Sequence, residues 1–225
     1  MLRAAHKVRR RCIKAHDIAR ASTLLGHSTY FITSVKPQMR PPGGADNSAG
    51  LRAPELHALQ GRWYVYFAAA HPAHGNASHR MWVLGGPPAS QDPCAGPWEL
   101  LDSIRGMPED HWAINGTVVE LGEELHSTYP GWPTPNPNEP DLIQQLFIIK
   151  LSSPVEAMSQ SVQICAPEEP WEKSSNHGIN EGPQFLCAPD GSWKGIVYSC
   201  AGSWTKDYKM STLQFLGGDP LSAES

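Results

Sequence analysis

No apolar run in this sequence is long enough to cross a bilayer as a helix, so no membrane-spanning helix is expected. Cysteine is scarce. The five present (Cys12, Cys94, Cys165, Cys187, Cys200) are an odd number, and their spacing fits neither a zinc site nor a disulfide scaffold. Cys187 and Cys200 flank a hairpin that turns at Asp190-Gly191. Pairing about that turn sets Cys187 near Lys194 or Gly195, which argues against a bridge to Cys200. His71, His74 and His79 share one loop at a spacing that matches no zinc pattern, so neither metal nor cofactor is expected.

Acidic residues are almost missing from the first forty positions, where Asp17 stands against nine Lys and Arg. The remainder carries a net charge of -12, so the two parts do not read as one design. Residues 1–52 are therefore taken as a basic, Pro/Gly-rich extension, and residues 53–225 as the folded unit. Three readings of the extension compete: a targeting segment with a basic helix around Arg9-Arg10-Arg11, a nucleic-acid-binding arm, or a stretch without its own fold. No aromatic residues interleave with the arginines for base stacking, which argues against nucleic acid. No apolar segment follows the N-terminal charges closely enough for a secretory signal. Residues 37–50 form a linker-like stretch.

Turn formers and aromatics are plentiful: 21 Pro, 20 Gly and eight Trp. With short alternating runs such as Arg62–Phe67, Arg80–Leu84, Leu125–Tyr129, Gln145–Lys150 and Gly195–Ser199, they predict an all-β fold. Three segments read as one motif repeated: Ala53-Pro54-Glu55-Leu56-His57, Ala113-Ile114-Asn115-Gly116-Thr117 and Ile179-Asn180-Glu181-Gly182-Pro183. Their centres, Glu55, Asn115 and Glu181, are 60 and 66 residues apart. Such a period, filled with short strands, predicts four-stranded units arranged radially. About three units are recognisable, and the third lacks a fourth strand before Ser225.

Those phrases, with Gly61-Arg62-Trp63-Tyr64-Val65-Tyr66-Phe67-Ala68-Ala69 and Trp112, resemble glycoside hydrolase family 43, most closely its α-L-arabinofuranosidase and β-xylosidase types. The resemblance runs in order from Ala53 to Ser225. It implies a five-bladed β-propeller, here incomplete, that hydrolyses arabinose- or xylose-containing plant polysaccharide with inversion. It also implies secretion, with no nucleic-acid or membrane partner, and a monomer. In that family one carboxylate activates water, a second tunes the acid, and a Glu protonates the leaving oxygen across a gap of about 6.5–9.5 Å.

By this resemblance Glu181 is the general acid and Asn115 occupies the position of the tuning Asp. An amide there keeps the shape but has no charge with which to raise the acid's pKa. No residue of the first 52 matches the base. Glu55, His57, Trp112, Trp132 and Trp204 are expected to line the sugar site, whereas Trp63, Trp98 and Trp193 pack between blades. Two functions follow: a glycosidase, or a carbohydrate-binding propeller relic without turnover. A chain with too few blades to fold stably is the third possibility.

Overall fold

The computed structural model describes residues 10–13, 44–94, 96–107, 112–132, 143–174 and 177–222. No α-helix occurs among them. The first sheet consists of β2 (Ala49–Leu59), β3 (Arg62–Ala70), β4 (Arg80–Pro88) and β5 (Glu99–Ser103) in the order β2-β3-β4-β5. The second holds β6 (Thr117–Leu121), β7 (Glu124–Gly131), β8 (Gln145–Ser153) and β10 (Val162–Cys165), with β9 (Glu156–Ala157) beside β8. A two-stranded ribbon follows, of β11 (Lys173–Ser174) and β12 (His177–Gly178). The third sheet contains β13 (Asn180–Cys187), β14 (Lys194–Cys200) and β15 (Lys209–Gln214).

Each sheet is an antiparallel meander, as short connections between alternating runs require. The three are blades of the five-bladed propeller type. The fourth strand of the last blade comes from the opposite end of the chain: β1 (Arg10–Ile13) pairs antiparallel with β15, Arg10 opposite Leu213 and Ile13 opposite Met210. A strand, not a basic helix, therefore occupies these four residues, because the free edge of β15 offers unpaired backbone groups that a neighbouring segment can satisfy. The rest of the expected targeting segment, including Arg9 and Asp17, and linker residues 37–43 lie outside the described residues.

Two apolar seams hold the blades together. Between the first and second lie Tyr66, Met81, Val83, Tyr129, Phe147 and Ile149, all buried. The Tyr66 hydroxyl donates to the Pro154 carbonyl at 2.6 Å, so a fully buried ring of that seam is also a polar tie. The seam between the second and third blades is built from Leu146, Cys165, Tyr198, Cys200 and Leu213. Backbone bonds from Gln144 N to Gly178 O and from Asn180 N to Gln144 O, 3.0 and 3.1 Å, stitch the same junction. Among the described residues Cys94, Cys165, Cys187 and Cys200 form no disulfide, and Cys187 lies opposite Lys194, as the hairpin register predicted.

Candidate active site

The first strand of the second blade, β6, touches the first strands of its neighbours, β2 and β13. Each carries or follows a residue with left-handed backbone: Ala53 (φ 43°), Asn115 (φ 47°) and Gly182 (φ 58°). In β2 the register slips between Arg52 and Glu55, and in β13 it slips between Glu181 and Gln184. The two bulges are thus alike, each followed by Pro after the left-handed residue. This corrects the equivalence read from the motifs. Counted from the left-handed residue, Glu181 corresponds to Arg52 and Ile114, while Glu55 corresponds to Thr117 and Gln184.

Glu181 sits at the start of β13 opposite Ser199, partly buried. Burial raises its pKa above the ordinary carboxylate value, and this is the largest influence. A hydrogen bond from Tyr208 and the charge of Arg52 oppose it. The Tyr208 hydroxyl is raised in turn, first by its own burial and also by the Glu181 carboxylate. A proton is therefore held longer on Glu181 than on a free Glu, which suits an acid.

Asn180, one residue earlier, is fully buried. Its amide donates to Glu172 Oε1 at 3.1 Å and to Cys165 Sγ at 3.1 Å. Glu172 is fully buried too, and it also accepts from the Tyr198 hydroxyl at 2.8 Å and from the Glu168 and Glu169 N–H groups at 2.9 Å each. A carboxyl group removed from water needs such a set of hydrogen-bond partners. This carboxylate anchors the strand that bears Glu181. Its signal in the sequence was local: Glu169-Pro170-Trp171-Glu172 has the spacing of a capping box, and the two acids do cap a short 3-10 turn.

Glu55 and His57 are neighbours on one face of β2, two residues apart, with His57 Nε2 3.1 Å from Glu55 Oε2. The His57 ring meets Tyr66 edge-on at 5.5 Å. The Gln184 side-chain amide donates to the other Glu55 oxygen, joining the first strands of the first and third blades. Glu55, His57 and Gln184 thus gather at one place, and the charge of Arg52 acts on Glu181.

Asn115 sits just before β6 with a backbone conformation that Asn tolerates better than most residues. Its identity therefore has a local cause. The next residue, Gly116, leaves room for Met81, whose Cε lies 3.1 Å from where a Cβ would stand.

The tryptophans divide sharply. Trp112 and Trp132, each 3% exposed, stack on one another with centroids 4.4 Å apart and planes 7° apart. Trp112 Nε1 donates to Asn76 O at 2.8 Å. The expected sugar contact is corrected for both: their faces are taken up by each other and by the core. Trp204, 75% exposed, keeps an open face. Of the loop histidines, His79 is buried between the Asn76 and Gly50 carbonyls, both 2.8 Å away. Among the described residues no group of three His, Cys, Asp or Glu is placed to hold a metal ion.

No family model matches the chain. An extracellular exo-α-(1→5)-L-arabinofuranosidase of Streptomyces chartreusis is 32% identical over 169 residues, 75% of this chain and 48% of that protein. Among solved structures, an α-L-arabinofuranosidase from Lactobacillus brevis superposes with a TM-score of 0.66 and 26% identity, over 82% of this chain and 56% of the other. A thermostable family-43 glycoside hydrolase shares the fold, with a TM-score of 0.55 at 18% identity. The chain spans about half the length of these relatives.

Proposed function

We propose that this chain, a protein of the glycoside hydrolase family 43 type, carries the acid side of an arabinofuranosidase site in residues 53–225. The observation that carries the reading is Glu181. It lies on the first strand of its blade, its proton affinity is raised by burial, and it is held by Tyr208 and by a strand anchored at Glu172. In the reaction Glu181 gives its proton to the glycosidic oxygen as the bond to the anomeric carbon breaks. Water attacks that carbon from the opposite face and passes its own proton to a base. The substrate is an arabinose- or xylose-bearing oligosaccharide or polysaccharide, with Glu55, His57 and Gln184 offering hydrogen bonds to sugar hydroxyls and Trp204 an open ring face. The Streptomyces relative is named extracellular, which supports action outside the cell. The chain acts as a monomer, without nucleic acid or membrane.

The test is hydrolysis of an aryl α-L-arabinofuranoside by the folded chain and by Glu181→Gln. Turnover that disappears in the variant is expected. Folded protein with no turnover above blank leaves the second reading, carbohydrate binding without catalysis. That reading is favoured by one observation: among the described residues the groups acting on Glu181 are Tyr208 and Arg52, neither of them the carboxylate expected of a tuning partner.

A further inference from the structure

Two triplets of the sequence match the N-glycosylation acceptor pattern Asn-X-Ser/Thr with X other than Pro: Asn76-Ala77-Ser78 and Asn115-Gly116-Thr117. The fold treats them in opposite ways. Asn115 is half-buried between Ile114 and Gly116, both buried, and its companion hydroxyl, on Thr117, belongs to a residue 3% exposed in β6. Ala113 N donates to His79 O at 3.3 Å and Ile114 N to Pro130 O at 3.4 Å. The second triplet is therefore entered by a segment stitched into the junction of the first two blades.

Asn76 lies on the loop between β3 and β4, in the short 3-10 turn Gly75–Ser78. Its carbonyl accepts from Trp112 Nε1 at 2.8 Å and from the His79 N–H at 3.2 Å, and the His79 ring lies 2.8 Å away. Ser78 Oγ accepts from the His71 N–H at 2.9 Å and donates to Gly75 O at 2.8 Å, so the companion hydroxyl also closes the turn. The main chain thus fixes this loop to the core. The Asn76 side chain is exposed, as are Pro72, Ala73, His74 and Gly75 before it. Among the described residues no atom lies within 4 Å of where a Cβ on Gly75 would stand, so the turn borders open space.

We propose that Asn76 is an N-glycosylation site, taking its sugar from a lipid-linked oligosaccharyl diphosphate. Asn76 Nδ2 bonds to the anomeric carbon of that donor. The bond from this carbon to the diphosphate oxygen breaks, and the lipid diphosphate leaves with the electron pair. The amide proton passes to a base of the transferase. A bulky, hydrated sugar on the exposed Asn76 side chain displaces no packed group, whereas on Asn115 it would have to enter the junction of two blades. Both triplets carry an amide and a hydroxyl at the required spacing, so burial makes the choice between them. The proposal rests on the reading that the chain acts outside the cell, since this modification belongs to surface loops of secreted proteins. It does not depend on catalysis at Glu181.

The experiment is expression of the full chain in a eukaryotic host behind a cleavable secretion leader, then peptide N-glycosidase treatment and mass mapping of the peptides. A mobility shift reversed by the glycosidase is expected, with Asn76 converted to aspartate on release and Asn115 unmodified. Asn76→Gln should abolish the shift. The site is mapped on the wild-type chain, so the result stands even if the variant fails to fold. Secreted chain with Asn76 unmodified overturns the proposal, and so does a glycan on Asn115. Because the leader supplies export, failure at Asn76 bears on this assignment and not on where the chain acts. The extracellular reading is tested apart, by locating the chain in the medium or in the cells of its source.

Discussion

The Asn180 side-chain amide donates to the buried Glu172 carboxylate at 3.1 Å, one residue before Glu181. The candidate acid is thus placed by a second acid that never meets solvent. Removing that acceptor leaves the Tyr198 hydroxyl, the Asn180 amide and two backbone N–H groups without it. Glu172→Ala should therefore destabilise the fold by about 3 kcal/mol or more. Glu172→Gln, which keeps one acceptor oxygen, should cost less. Urea unfolding of both variants checks the order, and equal losses would contradict it.

Trp112→Ala should act on stability, not on sugar affinity. It opens a cavity against Trp132, and truncations of this kind cost about 3–5 kcal/mol. Trp204→Ala, at a 75% exposed position, should leave the melting temperature nearly unchanged while weakening sugar binding. Paired thermal melts and sugar titrations separate the two roles.

Asn115→Gly should be nearly neutral for stability, and Asn115→Ala should cost about 1 kcal/mol, because Ala pays the left-handed penalty that Gly escapes. If Ala and Gly behave alike in chemical denaturation, the backbone explanation of this asparagine is wrong.

Burial lowers the pKa of His126 below 6.5, with the charge of Lys150 acting in the same direction. The charge of Glu124, a hydrogen bond with its backbone, and the charge of Asp219 oppose the shift, and Glu120 and Lys194 lie nearby. Below pH 6.5 the unfolded chain binds the proton more readily than the native state. Stability contributed by neutral His126 is therefore full above that pH and declines as pH falls towards the lowered native value. His126→Gln should flatten this acid limb in melting temperatures measured from pH 7.5 downwards. An unchanged limb would assign it to other groups.

Glu181 has the opposite sign. Its native pKa is raised above 4.5, so its contribution is full below that pH and is lost as pH rises through the raised value. Glu181→Gln should make the chain more stable than wild type at neutral pH and equal to it near pH 4. Enzyme-like turnover should move the other way, disappearing in the same variant. Gain of stability with loss of activity at one residue is the signature of a strained catalytic group.

Much of the fold was legible along the chain. Alternation with a period of two, in runs bounded by Gly, Pro and Asp, marks strands because neighbouring side chains leave opposite faces of a sheet. Hence the stretches Arg62–Phe67, Arg80–Leu84 and Gln145–Lys150 all fall inside strands, and the Cys187–Cys200 hairpin has its expected register. Ordered motifs from Ala53 onwards carried the resemblance to glycoside hydrolase family 43 for the same reason: they are local. Tertiary structure alone decided the rest. It gave the last blade a strand from Arg10–Ile13, a pairing across nearly 200 residues that no local pattern encodes. It turned Trp112 and Trp132 inward, since an aromatic in a loop can stack on a ligand or on another ring, and only packing chooses. It aligned Glu181 with Arg52 instead of Glu55, because a bulge shifts register without leaving a mark in composition. Residue types and strand periods are properties of the sequence. Which polar groups meet, and which of them are cut off from water, depends on contacts between distant strands.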